Sequence, residues 1–304
     1  MNRYRAFNLT FSSDLNLEEF LPTSDLNADV YIKKGKVNKS NLNPTNVFRG
    51  GICAACGVND TNNITLHWSD VISFEMINGH TIVYEPYTDH LPTLQLYLMA
   101  EAMGIILYQR GLFLLHGSAI LLNGKANVVV GTPGAGKSTT AAAFWSAGQT
   151  LLSDDLVAIS FYDGLPYVLP SLPHFKVWEK TIDGLGIDRN LLRRSFEGST
   201  KYLHVQDLES FPFDPIPLSK ITLLKSPEYQ ENIKTFTPLN VHSEMVKHFP
   251  LPSSLLQGDY LKNHFSEAIT LSKTVKLEII DRPEGFENLK AFVNSRINEV
   301  ISTS

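Results

Sequence analysis

Residues 112–160, LFLLHGSAILLNGKANVVVGTPGAGKSTTAAAFWSAGQTLLSDDLVAIS, decide the fold. At their centre Gly131, Gly136, Lys137 and Ser138 satisfy G-x-x-x-x-G-K-[ST], with Thr132, Pro133, Gly134 and Ala135 between them and Thr139 after. Glycines let successive backbone N–H groups turn inward around an anion. The alanine-rich stretch that follows reads as a helix whose positive dipole end faces the same point. In such a loop the lysine reaches the β- and γ-phosphates and the serine hydroxyl binds Mg²⁺. ATP and Mg²⁺ are therefore the expected ligands, and the VVV run before the loop supplies the strand that the motif requires.

Upstream, Asn123-Gly124 is a strong two-residue hairpin signal, because both positions tolerate positive φ. Without a bulge, paired positions sum to 247, so Leu122 faces Lys125 and His116 falls opposite Gly131. Downstream, TLLS reads as a short buried strand ending in Asp154 and Asp155. Ligands of open α/β sheets gather at the carboxyl ends of strands, which brings both carboxylates near the phosphates. One can bind the metal and the other can hold an incoming hydroxyl and accept its proton. A second carboxylate and a histidine beside the loop favour phosphoryl transfer over nucleotide sensing.

Farther out, residues 1–90 hold short β-branched and aromatic runs such as NITLHWSDVISFEM and GHTIVYEP, separated by Asn, Gly and Pro. LPTLQLYLMAEAMGIILYQRG carries apolar residues at helical spacing and closes on Gly111. We divide the chain into a β-rich region with this linking helix, 1–104, and a catalytic region, 105–304. KITLLK and VKLEII look like strands of the latter, and EGFENLKAFVNSRINEVI like a C-terminal amphipathic helix.

Composition excludes several classes. The net charge of -5 and the lack of basic clusters interleaved with aromatics argue against nucleic acid. No run approaches the roughly 20 apolar residues that cross a bilayer, and the polar start has no signal-peptide core. The expected location is cytoplasmic, with no membrane partner. Cys53 and Cys56 form a lone C-x-x-C without a second ligand pair, so two reduced, buried thiols are expected.

Taken together, residues 105–160 resemble the catalytic core of HPr kinase/phosphorylase and its relatives, among them the kinases of lasso-peptide precursors. The shared order is a strand ending in His-Gly, a hairpin, the P-loop, one helix and Asp-Asp. The resemblance implies an α/β fold, a P-loop kinase core of the HPr kinase/phosphoenolpyruvate carboxykinase type, here with a β-rich N-terminal region. It implies that Asp154 is the proton-accepting catalytic residue, that Asp155 lies on the metal side with Ser138, and that His116 pairs with an active-site carboxylate beside Lys137.

PSLPHFKVW is similar to a proline-flanked segment of those relatives, which makes Lys176 a contact for phosphate or acceptor and Glu179 a metal partner at one remove. RRSFEGSTKYLHV supplies Arg193, Arg194 and Lys201 as a basic stretch facing phosphates. The C-terminal Gly-Arg segment of HPr kinases has no counterpart, and the first hundred residues do not read as their N-terminal domain. Both departures point away from HPr and toward a Ser or Thr of a peptide or another protein. The resemblance also implies a homo-oligomer. A regulatory NTPase without an acceptor, or a small-metabolite kinase, fits the same residues.

Overall fold

A computed structural model describes residues 1–17, 20–194, 200–225, 235–237 and 240–302, with side chains as far as 299. The fold is mixed α/β and divides into two compact units. The first comprises Met1–Leu114 with Phe249–Asn263, the second Leu115–His248 with His264–Ser304.

The first unit is built on a nine-stranded sheet. Its hairpins turn at the Asn signals seen in the sequence and at an Asp that was not: Asn62, Asp70 and Asn78 all take positive φ between paired strands. Alternation within the strands puts Ile64, Leu66 and Trp68 on a buried face with Ile72, Phe74 and Met76. Trp68 is fully buried and meets Tyr97 edge-on, with ring centroids 5.1 Å apart. Tyr97 belongs to the helical run Leu91–Gln109, which changes to π-helix over Leu98–Ala102.

That run corrects the sequence reading in one respect. By length and composition it is apolar enough to cross a membrane, with a mean hydropathy of 1.3, although polar residues interrupt it. Leu98, Ala102, Met103, Ile105, Ile106 and Leu107 are all buried inside the protein.

Cys53 and Cys56 lie three apart in one strand, Ile52–Val58. At about 3.3 Å per residue they are roughly 10 Å apart and point to opposite faces, beyond the span of a disulfide. The expectation of two buried thiols is half met: Cys56 is buried, but Cys53 is partly exposed.

The second unit carries the loop. Its sheet runs Val157–Tyr162, Leu165–Leu169, Ile216–Lys225, Lys125–Gly131, Gly117–Leu122, Thr150–Ser153, and Lys276–Asp281 pairs with Ile216–Lys225. The hairpin has the register its turn dictates, with Leu122 opposite Lys125 and Gly117 opposite Val130. Ile216–Lys225 is parallel to both Lys125–Gly131 and Lys276–Asp281. Thr150–Ser153 is antiparallel to Gly117–Leu122 and so points the same way as Lys125–Gly131. Gly131, Ser153 and Asp281 therefore end their strands on one edge of the sheet, where ligands of such sheets bind.

Helices Lys137–Ser146 and Phe286–Ser302 close one face of this sheet over Ile120, Leu122, Val129 and Leu224. Ala141, Ala142 and Ala143 keep the first helix close to the strands, and Leu289 and Val293 of the second complete the layer. A three-stranded sheet, His174–Trp178, Lys201–Val205 and Leu192–Arg194, adds Phe175 and Val177 to the same core.

Candidate functional site

Between Gly131 and the helix beginning at Lys137 the chain turns through Gly134 at φ +83° and Gly136 at φ +93°. Both values lie where L side chains are strained, which is why glycine stands at each. No heavy atom lies within 4 Å of a Cβ built on Gly134, so the backbone there is open to a ligand. At Gly136 the reverse holds: a Cβ would meet Arg282 Nε at 2.6 Å. The guanidinium therefore rests against the loop backbone, and its buried Nε–H has no hydrogen-bond partner among the described residues. A buried donor without a partner beside an anion nest fits a site completed by an anion.

A cavity of about 940 Å³ opens on the loop. It is lined by His116, Gly134, Gly136, Lys137, Ser138, Thr139 and Asp155, together with Trp178, Lys180, Thr181, Lys201, Arg282 and Phe286. That volume suits a nucleotide. Lys137 Nζ donates to the carbonyls of Gly131 (2.9 Å) and Thr132 (3.3 Å), partners it can exchange for phosphate oxygens. Burial lowers its pKa, while Asp155 and Asp154 favour its charged form.

Asp154 sits at the end of the strand Thr150–Ser153, and its Oδ1 accepts from Ser118 Oγ at 2.8 Å and from Ser138 Oγ at 3.4 Å. Burial and the neighbouring Asp155 push its pKa up to about 6, against the opposing effects of the Ser118 hydroxyl, Lys201 and the Lys176 backbone N–H. A carboxylate disfavoured in this way beside a loop serine is what a divalent cation would relieve. Among the described residues no group of three or more His, Cys, Asp or Glu could hold a metal. A P-loop Mg²⁺ needs none, since it takes one hydroxyl, one carboxylate, phosphate oxygens and water. The residues present fit such an ion.

Asp155 is exposed, faces the cavity and holds φ at +65°, a backbone state costly for a non-glycine residue. Its carbonyl is 2.9 Å from His116 Nδ1. A carbonyl only accepts, so Nδ1 carries the proton and, in the neutral ring, Nε2 is an acceptor. The ring is kept neutral first by burial and then by Lys137, which together lower its pKa. The chain at His116 is itself fixed by the backbone N–H of His116 donating to the His248 carbonyl at 2.6 Å.

Not every residue expected at the site reaches it. Pro133 lines the cavity, Ala135 is buried with its N–H on the Thr132 carbonyl, and Thr139 Oγ1 lies 3.2 Å from Thr181 Oγ1. Lys201 lines the cavity and packs over the Trp178 ring at 4.6 Å. Glu179 borders the cavity in an exposed ion pair with Arg189. Lys176 and Arg193 lie outside the cavity lining, and Arg194 turns away, over the ring of Tyr202.

Arg282, Ser118 and Thr181 were missed by sequence reasoning. For Arg282 a signal existed: it follows the strand-like VKLEII with only Asp281 between them. Only the parallel pairing of that strand brings its end beside the loop.

Comparison with known proteins adds little. No family model matches the chain, and no curated protein matches it. Among solved structures, the HPr(Ser) kinase/phosphatase from Coxiella burnetii is similar over 42% of this chain and 72% of that one, at 14% identity and a TM-score of 0.23. A score that low carries no argument about fold or activity.

Proposed function

We propose that the second unit is a Mg²⁺-dependent phosphotransferase of the HPr kinase type, moving the γ-phosphoryl group of ATP to a Ser or Thr hydroxyl of a peptide or protein. The observation that carries this reading is the division of labour between adjacent carboxylates. Asp154 is tied to the loop serine, while Asp155 faces the cavity beside His116.

Bound Mg²⁺ would neutralise charge on the phosphates. Ser138 and Asp154 are the residues to hold it, the pairing of loop hydroxyl and carboxylate found in P-loop enzymes. Lys137, Arg282 and the loop amides would bind the phosphate oxygens and offset the charge that develops in transfer. Asp155 and His116 Nε2 remain to orient the acceptor. The acceptor oxygen bonds to the γ-phosphorus, the bond to the β,γ-bridging oxygen breaks, and the hydroxyl proton passes to Asp155. This reverses the order of the two carboxylates that the family resemblance implies.

The test is label transfer from γ-labelled ATP with Mg²⁺ into fractionated extract of the source cells, comparing wild type with Lys137→Ala and Asp155→Asn. A polypeptide labelled by wild type alone supports the reading. A labelled metabolite would move the enzyme to small-molecule acceptors. Tight nucleotide binding without transfer would replace the kinase by a nucleotide-dependent regulator.

A further inference from the structure

The three-stranded sheet beside the cavity has two unlike faces. Strand pairing sets Lys176 opposite Leu203, Trp178 opposite Lys201 and Arg193 opposite Leu203. Side chains directly opposite share a face, and alternation adds His174 and Val205 to it. The other face takes Phe175, Val177, Leu192 and Tyr202, which pack into the core.

The first face thus gathers Lys176, Arg193 and Lys201 around Trp178, with His174 behind them. It contains no Asp or Glu at any of its seven strand positions, 174, 176, 178, 193, 201, 203 and 205. In a chain of net charge -5 that segregation is a local reversal. Trp178 is 47% exposed and Arg193 is exposed, Lys176 and Lys201 are half-buried, and Leu203, opposite both Lys176 and Arg193, is buried, so the face is reached through its charged ends and Trp178. Trp178 and Lys201 also line the cavity, so the face runs continuously into the site where a phosphoryl acceptor must enter.

We propose that this face docks an acidic polypeptide segment, presenting a Ser or Thr next to its glutamates or aspartates to Asp155. The inference rests on the kinase reading above and names its substrate class. Lys176 and Arg193 attract carboxylates flanking the acceptor, and Trp178 gives the peptide backbone an apolar platform. A polypeptide fits better than a small anion because Lys176 and Arg193 stand across the strands from each other, outside the cavity lining, with the exposed ring of Trp178 between them and the cavity.

The test is fluorescence anisotropy with labelled peptides carrying one serine flanked by glutamates, by glutamines or by lysines, at low and high salt. Exposed charge pairs contribute a few tenths of a kcal/mol each, so several glutamates should tighten binding about tenfold over glutamines at low salt. High salt should erase that preference. Lys176→Glu with Arg193→Glu should abolish it, whereas Arg194→Glu, on the opposite face, should leave it unchanged. A milder pair, Lys176→Gln with Arg193→Gln, guards against loss of folding and should weaken the preference.

Equal binding of the peptides, or equal effects of Arg194→Glu and the double reversal, would overturn the proposal. So would displacement of the glutamate peptide by citrate at equal concentration, which would assign the face to small anions. Nucleotide binding is measured in the same samples. Its absence in wild type removes the kinase reading itself, while its presence without charge preference removes only the docking face.

Discussion

Arg282 and Gly136 occupy each other's space. The guanidinium Nε stands 2.6 Å from where a Cβ on Gly136 would lie, at a loop position whose φ of +93° already favours glycine. Gly136→Ala should therefore abolish nucleotide binding, and Arg282→Ala should not rescue it, because the backbone strain remains. Gly134→Ala, strained but with nothing near its Cβ, should bind more strongly than Gly136→Ala. Arg282→Ala alone should weaken nucleotide binding about tenfold or more, the worth of one charge-assisted hydrogen bond. Calorimetric titration with a non-hydrolysable ATP analogue reads all four.

The proposed roles of the two carboxylates should separate by metal dependence. Asp154→Asn should raise the Mg²⁺ concentration needed for half-maximal transfer, since it changes the carboxylate that accepts from Ser138. Asp155→Asn should keep the wild-type Mg²⁺ dependence of nucleotide binding and lose transfer by about a hundredfold or more, the usual contribution of a general base. The opposite pattern would return the proton-accepting role to Asp154.

Asp154 also sets a pH dependence of stability in the metal-free protein. Its carboxyl moves from an ordinary 3.8 to about 6 on folding, because burial and Asp155 disfavour its charge. Between those values the folded chain holds a proton that the unfolded chain has released, so stability falls as pH rises through the window and stays lower above it. Thermal unfolding without Mg²⁺ should show that fall, and Asp154→Asn should flatten it and melt higher than wild type at pH 7. Mg²⁺ with nucleotide should offset the loss by binding the folded state.

In the first unit Trp68 is the packing element to test. It is fully buried between strand neighbours and Tyr97. Trp68→Ala should cost about 3–5 kcal/mol in denaturant unfolding. Its Nε1 has no hydrogen-bond partner among the described residues, so Trp68→Phe leaves no partner orphaned and should cost much less.

Thiol labelling offers a simpler check. Burial pushes the Cys56 thiol up to about 11, and the side chain is enclosed. Native protein should react at Cys53 alone, and denatured protein at both residues.

Local chemistry wrote several features openly in the chain. The loop, its helix and the hairpin register depend on glycine geometry, on Asn-Gly at a two-residue turn and on neighbours within a few positions. The same is true of Asp154 and Asp155 at the end of a four-residue strand. Each was legible because contacts close in sequence are also close in space. The apolar helix Leu91–Gln109 was only half legible, since its periodicity shows while its fitness to cross a bilayer is hidden by Gln95, Glu101 and the residues around them.

What the sequence alone determined, then, is the glycine-rich loop and the strand, turn and helix that present it. The tertiary structure decided who stands around that loop. Arg282 lies more than a hundred residues away in the chain and arrives only through two parallel strand pairings, which leave no periodic signal in a single sequence. The partition of the carboxylates likewise rests on Ser118 and Ser138 converging on one oxygen of Asp154. The separation of Arg193 from its neighbour Arg194 rests on strand register, because adjacent side chains in a strand must point to opposite faces.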